Sequence, residues 1–219
     1  MNDKNAKNEI IKILTLGESS VGKTSFILRY TENTFSEIYL TTMGIDFKTK
    51  IIKLKNKKTY SVLFYDTAGQ EKYRSISLSV IKNVQGVILM YDITNKKSFE
   101  SISRWMESIR EIKGNYFPII LLGNKCELEE KRVVSKNDAE QLAQKYGIEL
   151  FEVSNKAGIN VDEAGLCMIN KVVEEKEKAN NLIKDFEVLN DKDIIKLDKN
   201  LYKEKEKHKQ KCNCKNLKL

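Results

Sequence analysis

Residues 17–24 read Gly-Glu-Ser-Ser-Val-Gly-Lys-Thr, directly after the apolar run of residues 10–16 and ahead of a stretch with helical period. A strand, a glycine-bracketed loop and a helix in that order constrain the chain to an α/β fold, because the loop must be held rigidly at both ends. Gly17 and Gly22 let the backbone curl. The N–H groups from Gly17 through Ser19, Ser20 and Val21 to Gly22 and Ser25 then point inward as a cradle for phosphate oxygens, helped by the dipole of the following helix. Lys23 is expected to reach the β and γ phosphates of a nucleotide, and the Thr24 hydroxyl to meet a Mg²⁺ that bridges them.

The remaining pattern agrees with that fold class. Segments 10–16, 46–53, 59–66, 86–92, 119–123 and 149–153 are rich in apolar and β-branched residues and alternate with stretches of helical period, which predicts six strands in a mostly parallel sheet with helices on both faces. The runs GVILMYD and PIILLGN read as central strands, whereas IDFKTKIIKL alternates and reads as a half-exposed edge. Phe99, Ile102, Trp105 and Ile109 recur at helical spacing, so Trp105 is assigned to the core. Further helices are expected over residues 136–146, with Ser135 placed as N-cap, and over about residues 161–178.

A second motif, Asp-Thr-Ala-Gly-Gln-Glu at 66–71, follows the strand at 59–66. Asp66 can hold a Mg²⁺ water, Gly69 can turn its N–H to a γ-phosphate, and Gln70 can orient an attacking water.

With TTMGIDFK at 41–48, ILMYDIT at 88–94, GNKCE at 123–127 and EVSNKAG at 152–158, the chain resembles the Ras superfamily, and within it the Rab family, over about residues 9–175. The resemblance implies a P-loop NTPase domain of the small G-protein kind, spanning 9–178 between a short N-terminus at 1–8 and a lysine-rich tail at 179–219. It implies slow GTP hydrolysis assisted by Mg²⁺, with Lys23, Thr42 and Gln70 as the catalytic set. Thr42 would cap Mg²⁺ in the GTP state, alongside Thr24 and Asp66. Phe35 would pack on the guanine, while Asn124, Lys125 and Glu127 hold the base and the segment Ser154, Asn155 and Lys156 meets its carbonyl through the Asn155 N–H. Exchange factors, GTPase-activating proteins, GTP-state effectors and a prenyl-chain chaperone are the implied partners. An ATPase or kinase is disfavoured because Asn124-Lys125 and Ser154-x-Lys156 sit at the ends of two strands, where a guanine would be read.

Five positions depart from the family pattern. Glu127 occupies the place of an aspartate that reads the guanine ring, so a preference for guanine is expected to be weakened but retained. Asn155 replaces a small residue. Tyr65 and Val80 replace aromatic residues of the family's effector surface, of which Phe47 is kept. Gly165 stands where a phenylalanine is usual, a change expected to leave a void in the last helix.

The 219-residue chain carries a net charge of +8, but its lysines are spread out without interleaved aromatics, which argues against nucleic acid. Residues 203–219 hold seven lysines, a pattern that suits an anionic membrane surface. Cys212-Asn213-Cys214 resembles a doubly geranylgeranylated end, although KNLKL follows it, and the alternative is two free thiols. No apolar run spans a bilayer, and the first residues lack a signal-peptide pattern, so a cytoplasmic protein cycling to a vesicle or organelle membrane is expected. A nucleotide-dependent scaffold with little turnover and a soluble Ran-like transport GTPase are the competing readings.

Overall fold

A computed structural model describes residues 8–37, 42, 44–67 and 74–183. Its strands are β1 (Glu9–Leu16), β2 (Ile45–Lys53), β3 (Thr59–Thr67), β4 (Gly86–Asp92), β5 (Ile119–Asn124) and β6 (Glu149–Val153). Helices α1 (Lys23–Glu32), α2 (Arg74–Ile81), α3 (Lys96–Lys113) and α4 (Lys136–Tyr146) lie between them, and α5 begins at residue 161. The chain divides into one compact unit up to Val173 and a second from Glu174; residues 174–183 of the second are also helical.

The strands form one sheet in the order β2-β3-β1-β4-β5-β6. Only the β2–β3 pair is antiparallel. All of β4 and β5 is buried, as their near-continuous apolar sequence requires, including the terminal Asp92 and Asn124. β2 is an edge strand with no fully buried residue, in keeping with its alternation. The strands at 86–92 and 149–153 match the sequence expectation in their ends; β3 and β5 each run one residue further, to Thr67 and Asn124, because pairing continues there to Ile45 and Val153. Helix α2 is an element that sequence reasoning did not place.

Alternation along the strands divides the core. Ile11 and Ile13 of β1 face α1 and α5, where they pack with Phe26, Tyr30 and Met168. Leu14 and Leu16 belong to the opposite layer, with Ile102, Trp105, Met106 and Ile109 of α3. Trp105 is a core residue, 5% exposed, and Phe99 is a partly buried neighbour. Local signals set the helix ends. The Asn95 side chain accepts from the Ser98 N–H at the start of α3, and Ser135 accepts from the Asp138 N–H at the start of α4, which stops at Gly147 in the left-handed region.

The void expected at Gly165 is absent. A Cβ at this position would lie 2.2 Å from Cε2 of Tyr30, whose ring already fills the space. Tyr30 stacks parallel to Phe26 with centroids 6.1 Å apart and meets Phe64 edge-on at 5.3 Å. A large ring on α1 thus occupies the volume that a side chain on α5 would otherwise fill.

Candidate functional site

The C-terminal ends of β1, β4 and β5 open into a cleft of about 430 Å³ at the start of α1, a size suited to a small ligand. The parallel strands carry their loops to this edge, so distant sequence segments converge on it. At one end lies the glycine-bracketed loop. Gly17 has φ +141, and a Cβ there would sit 2.2 Å from the Met90 carbonyl oxygen, so neither the backbone angle nor the space admits another residue. Ser20 also has positive φ, at 63. Lys23 is 5% exposed, and its Nζ donates to the carbonyls of Gly17 (3.0 Å) and Glu18 (2.8 Å), which anchors the ammonium beside the loop.

A cluster of oxygens sits next to that loop. Thr24 Oγ1 donates to Asp66 Oδ2 at 2.6 Å, Thr42 Oγ1 reaches the same oxygen at 3.2 Å, and the two hydroxyls are 2.9 Å apart. Asp66 is 5% exposed, and its Oδ1 is buried without a partner among the described residues. Burial raises the carboxyl pKa above its ordinary value, opposed by the Thr24 hydrogen bond and the Lys23 charge.

The other end of the cleft is built from β5, β6 and the loops after them. Asn124 Nδ2 donates to the Val21 carbonyl at 2.8 Å, and its Oδ1 accepts from the Asn155 N–H at 3.3 Å. Lys125, in the left-handed region at φ 68, places its ammonium 2.5 Å from Asp92 Oδ2. Glu127 lines the cleft from the first turn of a 3-10 segment, Cys126–Lys131. Phe35 lines the mouth, and Lys156 closes across it with an ion pair of 2.7 Å to Glu37.

Of the residues singled out from sequence, Ser19, Ser20, Gly22, Lys23, Thr24, Ser25, Phe35 and Thr42 line this one cleft, as do Asn124, Lys125, Glu127, Asn155 and Lys156. Gly17, Val21 and Asp66 accept hydrogen bonds from lining residues, namely Lys23, Asn124 and Thr24; Ser154 is fully buried, and its Oγ accepts from the Ala157 N–H at 2.9 Å. Gly69, Gln70, Cys212 and Cys214 lie outside the described residues.

Sequence reasoning missed Arg29 and Asp92. Arg29 of α1 donates from Nε to the Asn155 carbonyl and from Nη2 to the Lys156 carbonyl, both at 2.8 Å, with its guanidinium 5.8 Å from the Phe35 ring centroid. An arginine in the last turn of a helix reads simply as a dipole partner, so no local signal distinguishes it. Asp92, the fifth residue of the ILMYDIT motif, accepts from both the N–H and the hydroxyl of Thr94.

A phosphate cradle at one end of a cleft and a paired-asparagine wall at the other define the class: a P-loop nucleotide-binding protein with a separate base-reading end. The chain matches the Ras family over residues 12–174. It is 44% identical over 159 residues to Ras-related protein Rab-13 of Bos taurus, covering 73% of this chain and 78% of the relative. It is 42% identical over 166 residues both to Ras-related protein Rab-10 of Diplobatis ommata (76% and 82%) and to Ras-related protein Rab-3A of Homo sapiens (76% and 75%). The chain belongs to the Ras family, as a Rab-type small GTPase. It binds guanine nucleotide and hydrolyses GTP, and as a family member it works with exchange factors, activating proteins and effectors.

Proposed function

We propose that the chain is a Mg²⁺-dependent GTP/GDP switch of intracellular vesicle and protein transport, with a domain over residues 9–178 and a basic tail over 179–219. The observation that carries this reading is the two-ended cleft, with Lys23 and Thr24 at the phosphate end and Asn124 and Asn155 at the base end. The oxygen cluster fits the metal. Two hydroxyls and a buried carboxylate with one unpartnered oxygen are hard donors of the kind Mg²⁺ takes alongside water and phosphate. Thr24 and Thr42 would hold it directly and Asp66 would hold one of its waters; Mg²⁺ bound there neutralises charge on the β and γ phosphates.

The chain's own residues then divide the work. The loop from Gly17 to Ser25 orients the phosphates, Lys23 offsets the charge that grows on the γ-phosphoryl group, and Gln70 and Gly69 position the water and the γ-phosphate. Phe35, Lys125 and Glu127 hold the base. Loss of the γ-phosphate removes what Thr42 and Gly69 bind, so the two loops relax after hydrolysis and effectors are released. Phe47, 59% exposed on edge strand β2, belongs to the surface those effectors would read.

Two prenyl chains on Cys212 and Cys214, with the tail lysines, would attach the chain to a vesicle or organelle membrane, and a chaperone for those chains would return it to the cytoplasm. Among the described residues no helix is long and apolar enough to cross a membrane. The test is the nucleotide carried by the purified protein and its single-turnover hydrolysis rate. Bound GDP or GTP, and a hydrolysis rate that falls at least about tenfold in Gln70→Leu, are expected; bound ATP, or an unaffected rate, would refute the reading. Mass spectrometry of the tail from native cells decides the lipid attachment.

A further inference from the structure

Asn155 is 2% exposed and lines the base end of the cleft. Its Nδ2 donates to the Gly22 carbonyl at 2.9 Å, across 133 residues of sequence. Beside it, Asn124 donates to the carbonyl of Val21, so consecutive peptide groups of the phosphate loop are each gripped by an asparagine from the base side. The fit is close: a Cβ at Gly22, whose φ is +101, would fall 2.2 Å from Asn124 Nδ2 and 2.8 Å from Asn155 Nδ2. The backbone of Asn155 is held as well, its carbonyl by Arg29 and its N–H by Asn124.

The Asn155 amide is not explained by local stability. The Gly22 carbonyl already accepts from the Phe26 N–H at 2.8 Å as the first hydrogen bond of α1, so it needs no second donor. Meanwhile Asn155 Oδ1 is buried without a partner among the described residues, an arrangement that costs free energy. A small side chain at 155 would avoid that cost and leave the carbonyl satisfied.

We propose that the Asn155 side chain is a strut coupling the base-reading loop to the phosphate loop, so that a bound nucleotide is held at both ends as one unit and leaves slowly. This rests on the assignment of the two ends given above. With the ends fixed relative to one another, letting go of the base does not free the phosphates to drift, and rebinding of the released end is effectively intramolecular. Asn155 is a positioning residue here: its side chain acts through Gly22.

The experiment is the release rate of a fluorescent GDP analogue from the full chain in Mg²⁺, for wild type, Asn155→Ala and Asn155→Asp, with thermal melting of each nucleotide-free protein. Asn155→Ala removes the strut and the orphaned oxygen together, so release accelerates about 3- to 10-fold while the melting temperature stays within about a degree. Asn155→Asp keeps the shape but turns a carboxylate oxygen against the Gly22 carbonyl, and release is faster still. An unchanged release rate in Asn155→Ala overturns the strut, and so does an acceleration that merely tracks a fall in melting temperature across the two variants. A wild-type protein that binds no guanine nucleotide would overturn the site assignment itself, whereas normal loading with unchanged release in Asn155→Ala overturns the strut alone.

Discussion

Gly165→Ala isolates the packing of Tyr30 against α5. On helix propensity alone the change stabilises by about 1 kcal/mol, since an interior glycine is replaced by the best helix former. The structure predicts the opposite sign. The new Cβ would approach Cε2, Cζ and Cδ2 of Tyr30 at 2.2, 2.5 and 2.6 Å, against the 3.5–4.0 Å of an ordinary carbon contact. The ring has little room to yield, with Phe26 parallel to it and Phe64 against its edge. Overpacking of this kind costs roughly 1–3 kcal/mol, and an overlap beyond an ångström points to the upper part of that range, leaving a net loss of about 1–2 kcal/mol. Urea unfolding at fixed GDP and Mg²⁺ concentrations measures it, since bound ligand shifts apparent stability. In the Tyr30→Ala background, which itself loses about 3–5 kcal/mol, the obstruction is gone and Gly165→Ala should stabilise by up to about 1 kcal/mol. The double-mutant cycle therefore has a coupling of roughly 2–3 kcal/mol. If Gly165→Ala stabilises the wild type, or if the two changes simply add, the reasoning fails.

Shortening Glu127→Asp restores the reach expected of a base-reading carboxylate and should tighten GTP about 5- to 150-fold, from roughly 1–3 kcal/mol of better-aligned charge-assisted hydrogen bonding; competition binding of GTP, XTP and ATP measures it, and equal tightening of ATP would defeat the assignment. Chelation of Mg²⁺ should accelerate GDP release at least about tenfold, read by the same fluorescent analogue, and a rate indifferent to chelator would remove the metal from the Thr24, Thr42 and Asp66 cluster. Arg29→Ala withdraws two donors from the Asn155 and Lys156 carbonyls and should speed GDP release by about 5-fold or more, with Arg29→Lys restoring only part of the effect because an ammonium lacks the planar fork.

The sheet was legible because its strands carry their own signals. GVILMYD and IILLGN are near-continuous apolar runs ending in a polar residue and must be covered on both faces, whereas IDFKTKIIK alternates and belongs at an edge. Ser135 and Gly147 mark the ends of α4 through short-range chemistry, the former by a side-chain hydrogen bond three residues away. The phosphate loop was legible for the same reason: two glycines, a lysine and a threonine act within eight residues. Helix α2 was not, since its eight residues, RSISLSVI, offer no cap and too short a period to stand out.

Departures from a family pattern resist reading for a different physical cause, which Gly165 and Asn155 illustrate. Taken alone, Gly165 looks like a lost side chain, and Asn155 looks like a crowded one. Each acquires its meaning from a partner on α1 or at its start: the Tyr30 ring for Gly165, the Gly22 carbonyl for Asn155. Arg29, one residue before Tyr30, grips the Asn155 and Lys156 carbonyls from the same helix. Helix α1 and the glycine at its start therefore compensate both the Gly165 and the Asn155 substitutions, and a change on one side without its partner on the other should be the costly step. Glu127 instead lines the cleft itself, so the effect of that substitution should fall on the ligand rather than on the protein.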